Sequence, residues 1–100
     1  MIRIESKRTY RGAGVYIGRP SLFETPYSVR EYGRQEAIGL YRRWLWDRIL
    51  ELCEVYDELK RLAEMAKQSD LTLICWCFPN HCHGEILIRA IKWLNSNVGQ

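Results

Sequence analysis

The segment CWCFPNHCHGE, residues 75–85, places three cysteines and two histidines within nine positions. Thiolate and imidazole are the side chains that hold zinc, and they also act as nucleophile and acid–base group near neutral pH. Structural zinc sites usually pair their ligands as C-x₂₋₄-C, with a second pair far along the chain. Here there is one cluster, and Cys82 and His83 are adjacent. A zinc set would therefore be Cys77, Cys82 and His83, completed by Cys75 or Cys53. Haem attachment is excluded, because C-x-x-C-H needs two intervening residues and four separate Cys77 from Cys82.

The competing chemistry follows from position. LTLICW, residues 71–76, is a continuous apolar run bounded by turn signals, the pattern of a strand buried on both faces. Residues from Glu85 to about Asn95 carry Leu87, Ala90, Ile91 and Leu94 at helical spacing. The cysteine segment thus leaves a central strand and opens a helix, which is where α/β folds take their ligands. A helix start offers backbone N–H groups to an anion at Gly84, and a thiol there can have a depressed pKa. In this reading Cys82 and His83 are the catalytic pair. A blander reading has these residues shaping a tight turn, and Cys75, inside the strand pattern, is expected to be core.

YIGRPS, residues 16–21, is the second candidate. Gly18 gives the backbone room, Arg19 can fork onto a carboxylate or phosphate, and Ser21 adds a hydroxyl. Gly18, Arg19, Ser21, Arg42 and Gly84 are the expected ligand-binding residues. The two motifs form one site only if the early strands lie beside residues 71–76. Tyr41, Trp44 and Trp46 sit at helical spacing and are expected mainly in the core.

Around these motifs the chain alternates Ile2 and Ile4 with charged residues, turns through RGAG, and resumes at Val15 and Ile17. This reads as a hairpin, or as two strands joined by a glycine loop. Residues 28–68 read as helical from a capping box at Ser28 and Glu31. Ala37, Ile38, Tyr41 and Leu45 form one stripe, and Ile49, Leu52, Cys53, Tyr56, Leu59, Ala63 and Ala66 form another. One long helix or a break near Asp47 fit equally. The expected fold is α/β: a single domain, residues 1–100. It has a short mixed sheet, from an N-terminal hairpin plus the central strand 71–76, packed with a long helical segment and a C-terminal helix.

Composition narrows the function classes. An apolar share of 47% and a charged share of 27% belong to a globular protein and exclude a disordered one. No apolar run approaches a membrane span, and MIRIESKR lacks a signal-peptide core, so a cytoplasmic protein with no membrane partner is expected. Residues 1–48 hold ten Lys or Arg against five Asp or Glu, and residues 49–100 hold five against seven. The basic half favours an anionic partner such as a nucleotide or nucleic acid.

Three ordered blocks, VYIGRPSLFETPYS, RQEAIGLYRRWL and LICWCFPNHCHGEIL, resemble a family seen in phages and bacteria, domain of unknown function 4326. Its members read as YIGR-P-S-x-x-GNP-F, R-x-x-A-I-x-x-Y-R-x-W-L and C-x-C-x-P-x-x-CHG-x-x-L. The resemblance covers most of residues 15 to 91 and includes Tyr16, Gly18, Arg19, Arg34, Tyr41, Arg42, Trp44, Cys75, Cys77, Pro79, Cys82, His83 and Gly84. LFETPYS departs from the family's glycine-asparagine-proline-phenylalanine, and His81 has no counterpart. The resemblance implies a phage or prokaryotic intracellular setting and brings no activity.

Three functions remain open on these grounds. One is a domain that binds a phosphorylated ligand, a nucleotide or nucleic-acid end, at the Cys/His loop, with or without catalysis. Another is a noncatalytic zinc-stabilised module that binds a host protein or nucleic acid. A viral protein whose aromatic surface blocks a host factor is a third.

Overall fold

Strands β1 (Ile2–Ser6) and β2 (Val15–Tyr16) flank β3 (Leu71–Cys75), and both pair with it in parallel. The computed structural model describes residues 1–77 and 80–97, the side chain of Asn97 excepted, so Pro79 of the family pattern lies outside the described residues. Ile2 stands opposite Leu71 and Ile4 opposite Leu73, while Val15 and Tyr16 stand opposite Leu73 and Ile74. All five residues of β3 are buried, as a continuous apolar strand requires.

The α/β class is as expected, but the sheet is parallel rather than mixed, and the N-terminal hairpin does not form. β1 and β2 never pair with each other, because the most apolar strand takes the place between them. Residues 7–14 instead carry the chain back past β3. Gly14 is required there: a Cβ would stand 2.9 Å from the Thr72 carbonyl oxygen and 2.8 Å from Ile74 Cδ1. Arg3 lies on this outer face, its Nε–H donating to Thr72 Oγ1 at 3.3 Å, and its guanidinium lies 5.8 Å from the Tyr10 ring.

Four helices follow the expected helical pattern with two breaks: α1 (Val29–Tyr32), α2 (Arg34–Leu50), α3 (Glu54–Gln68) and α4 (Gly84–Asn97). Ser28 caps α1, its hydroxyl accepting from the N–H groups of Arg30 and Glu31. Gly33, at φ 81°, separates α1 from α2. The second break falls at residues 51–53, past Asp47, where Leu52 adopts φ 53°. Tyr41, Leu45 and Ile49 of α2, Leu59 and Leu62 of α3, and Leu87, Ile91 and Leu94 of α4 close over the inner face of the sheet.

Leu52 belongs to the expected apolar stripe, yet it is 67% exposed and left-handed. A left-handed backbone costs an L-residue about 1–2 kcal/mol, which glycine avoids at an entropic cost of about 0.5–1 kcal/mol. Leu52→Gly should therefore leave stability unchanged or raise it by up to about 1 kcal/mol. Leu59→Ala, at a fully buried position, should cost about 2–5 kcal/mol. Urea-denaturation midpoints check both, and a large loss at Leu52 would return that residue to the core.

Candidate functional site

A parallel sheet brings the carboxyl ends of all its strands to one edge. From β2 the chain leaves through Ile17, Gly18 and Arg19, and from β3 through Cys75, Trp76 and Cys77. Helix α4 begins at the same edge, after Cys82 and His83. Buried Ile17 continues the β2 pairing by donating its N–H to the Ile74 carbonyl at 2.9 Å.

His83 ties these segments together. Its Nε2 lies 2.7 Å from the carbonyl oxygen of Ile17. A carbonyl can only accept, so Nε2 carries the proton and donates. The imidazole meets the Tyr41 ring edge to face, with centroids 4.9 Å apart. The Tyr41 hydroxyl in turn donates to the Phe23 carbonyl at 2.8 Å. The helix start, the β2 exit and the loop after it are thus pinned by two buried hydrogen bonds and one ring contact. Gly84 makes the close approach possible, since a Cβ would lie 3.0 Å from both Ile4 and Ile17 side chains.

Between the two strand exits lies a cleft of about 350 Å³. Gly18, Arg19 and Thr25 line one side, Cys75, Trp76 and Cys77 the other, and His83 completes the lining. Arg19 donates Nε–H and Nη2–H to the Thr25 carbonyl, at 3.2 and 2.7 Å, and its Nε lies 3.5 Å from Glu24. A guanidinium has five N–H donors, so three remain beyond the two on Thr25. Trp76 is half-exposed, and its indole N–H donates to the Tyr16 hydroxyl at 3.0 Å. That hydroxyl donates onward to the Arg19 carbonyl.

Gly18, Arg19, Cys77 and His83 therefore meet in one place, with Cys82 and Gly84 buried beside them. Ser21 and Arg42 do not join them. Ser21 lines a neighbouring crevice of about 390 Å³ with Arg19, Glu24 and Trp44, and its buried hydroxyl has no partner among the described residues. Arg42 lines a third opening, between α2 and α4. Trp76 and Thr25 are site residues that the motifs do not single out. Trp76 reads as the end of the buried strand, whereas β3 stops at Cys75 and frees the indole.

The thiol expected to be activated is not. Cys82 is buried, with its sulfur 3.3 Å from that of Cys75. Cys75 first, and burial second, push the Cys82 thiol well above the ordinary cysteine range; the Gly84 N–H, 3.4 Å from the sulfur, opposes them only in part. Cys82 works as a helix cap. It accepts from Gly84 through sulfur and from Glu85 through its carbonyl at 3.1 Å. Those N–H groups, expected to be open to an anion, are thereby occupied. Cys77, half-buried, is the thiol that lines the cleft without being sealed.

Cys77, Cys82 and His83 are not gathered as a metal-holding cluster among the described residues. Among the described residues no three His, Cys, Asp or Glu side chains are placed to hold a metal. Nε2 of His83 and the sulfur of Cys82 are already engaged by Ile17, Cys75 and Gly84. His81 is exposed and contacts Glu85 at 2.7 Å, and its carbonyl accepts from Arg34. Among the described residues, no helix is long and apolar enough to cross a membrane.

Burial holds the His83 pKa below its ordinary 6.5, although the bond to Ile17 pulls it back upward. The unfolded chain takes up this proton near pH 6.5 and the folded chain only at lower pH, so acidification favours unfolding. Stability should fall as pH drops below about 6.5, and His83→Gln, which can still donate to Ile17, should flatten that fall in pH-dependent melting curves. His83→Ala should cost about 2–4 kcal/mol, from the orphaned carbonyl and the lost ring contact. With iodoacetamide, Cys77 and half-buried Cys53 should be alkylated in the folded protein. Cys75 and Cys82 should be modified only after denaturation; rapid labelling of Cys82 would mean that its thiol is neither buried nor raised in pKa.

No curated protein and no solved structure matches the chain significantly. Residues 2–93 match the family described as Domain of unknown function (DUF4326). The glycine-arginine and cysteine-histidine blocks line the Arg19–His83 cleft, Tyr41 of the tyrosine-arginine block packs on His83, and the chain belongs to this family.

Proposed function

We propose that the protein binds a phosphorylated ligand, a nucleotide or a nucleic-acid end, in the cleft between the β2 and β3 exits, in the cytoplasm of a prokaryotic or phage-infected cell. The observation that carries this reading is the pairing of Arg19 with half-exposed Trp76 across one cleft. Guanidinium N–H groups recognise phosphate in a fork, and an indole face stacks on a base. The volume of about 350 Å³ is within the range of small-ligand sites. A carboxyl edge of a parallel sheet is also the usual place for such ligands.

Several features set the limits of the reaction chemistry. Cys77 and neutral His83 put a thiol and an imidazole on the cleft wall. These are the groups that a covalent step at a bound ligand would use, whereas the buried Cys82 thiol is kept protonated. Binding does not depend on such a step.

Calorimetric titration with adenosine diphosphate and with pyrophosphate tests the reading. Arg19→Lys keeps the charge but loses the fork, and should weaken adenosine diphosphate binding about tenfold or more. Trp76→Ala should weaken adenosine diphosphate but not pyrophosphate, because only the former has a base to stack. No binding of either compound at millimolar concentration, or binding indifferent to both substitutions, would remove the proposal. Melting temperatures accompany both variants, since Arg19 also holds the Thr25 carbonyl.

A further inference from the structure

We infer that the seam between α2 and α4 is a track for single-stranded nucleic acid leading away from the cleft. The inference rests on the phosphorylated-ligand reading and names the ligand more narrowly.

The two helices run in the same direction, since Tyr41, midway along α2, meets His83 just before α4, and Trp46 meets Trp93 further along both. Two openings adjoin this pair of helices. The first, of about 30 Å³, lies ahead of α4, between Arg34 and Ile38 of α2 and Cys82 and His83, and it shares Thr25, Cys77 and His83 with the cleft. The second, of about 230 Å³, has Arg42 and Trp46 on one side and Ile86, Arg89 and Trp93 on the other. Ile38, Arg42 and Trp46 follow one another at i+4, and Ile86, Arg89 and Trp93 at i+3 and i+4, so both openings lie along one line. From Ile38 to Trp46 that line is about 12 Å long at the helical rise, room for more than one nucleotide.

The chemistry of this line is that of a single-strand site, cations beside aromatic faces. Arg42 and Arg89 are exposed, and neither has an ion pair or hydrogen bond among the described residues. Glu85, one turn before Arg89, is already in contact with His81. Trp46 and Trp93 pack edge to face at 4.9 Å, and Trp93 is 40% exposed. An acidic peptide would satisfy the arginines but leave the indoles unused. Nucleic acid uses both, and a strand whose terminal phosphate lies at Arg19 passes naturally into the seam.

The test compares thymidine monophosphate with a 5′-phosphorylated thymidine oligomer of about ten nucleotides, by competition and by fluorescence anisotropy. The oligomer should bind at least about tenfold more tightly, with affinity falling as salt rises. The Arg42→Ala/Arg89→Ala double variant should lose that gain, keep the monophosphate affinity and melt with the wild type. Its slope of log affinity against log salt should shrink by about 1.4, at roughly 0.7 per lost phosphate contact. An oligomer bound no better than the monophosphate would overturn the track and leave the cleft reading standing. Oligomer binding that the double variant abolishes, without monophosphate binding, would support the track and sink the cleft reading. Failure of both probes would overturn both. Equal binding of a glutamate decapeptide would overturn the track too, in favour of a protein-docking surface.

Discussion

The cleft exists because one buried imidazole holds a two-residue strand in place. β2 pairs with β3 through only Val15 and Tyr16, plus the N–H of Ile17 on Ile74. Such a short edge strand has little intrinsic stability. The Ile17 carbonyl, next in line, would be a buried acceptor without a strand beyond it. His83 supplies that donor from the start of α4, so the orphaned group of the sheet edge and the entry of the helix satisfy each other. Tyr41 closes the arrangement from α2, packing on the imidazole while reaching the Phe23 carbonyl. Arg19 leaves β2 two residues after that bond, and its position over the cleft is therefore set by His83.

The same geometry decides which thiol is available for chemistry. A helix start stabilises a thiolate by about 0.3–1 kcal/mol, or up to about 2 kcal/mol in partly buried sites. Burial can raise an acid's pKa by up to about 3–5 units, and each unit is about 1.4 kcal/mol. At Cys82 the neighbouring Cys75 sulfur, and burial after it, outweigh the helix start. The cost of activating that thiol would fall on the core that Cys75 and Cys82 help to fill. The structural thiol pair is thus separate from half-buried Cys77, which lines the cleft.

Much of this was legible in the residues. The unbroken apolar run Leu71–Cys75 announces the central strand, and the spacing of Leu87, Ala90, Ile91 and Leu94 announces α4. That Cys75 is core follows from its place inside a run buried on both faces. The expectation that the glycine-arginine bend and the cysteine segment share a rim also agrees with the structure, because parallel strands deliver both exits to one edge. The pairing partners were not legible. Ile2, Ile4, Val15 and Ile17 alternate identically whether β1 and β2 form a hairpin or flank a third strand, since alternation specifies a face and not a neighbour. The break at Leu52 was also hidden, because an apolar residue at helical spacing gives no sign of a left-handed backbone. At the site, Ser21 and Arg42 carry suitable chemistry but leave their elements in other directions. Trp76 was obscured by the strand that ends one residue before it.

The uneven charge of the sequence acquires a spatial meaning in the fold. Most acids of residues 49–100 lie on α3, where Asp57, Glu58 and Glu64 pair with Lys60, Arg61 and Lys67 one turn away. That helix neutralises itself locally and contributes little field beyond its surface. In the other half Arg3, Arg19 and Arg48 lie beside Glu5, Glu24 and Glu51, whereas Arg42 is treated differently. Arg19 keeps three N–H donors beyond those on Thr25, and Arg42, with Arg89 facing it from α4, has no acid at all among the described residues. Unpaired guanidinium groups on one line of the surface repel one another, a cost that folding alone gives no reason to accept. Exposed pairs add only about 0–1 kcal/mol each, so supplying partners would have brought little stability. Leaving these arginines unpaired instead keeps a local positive potential that works over about a Debye length, ~8–10 Å at moderate salt. That range covers the opening between Arg42 and Arg89, so an anion drawn there would be held near both guanidinium groups.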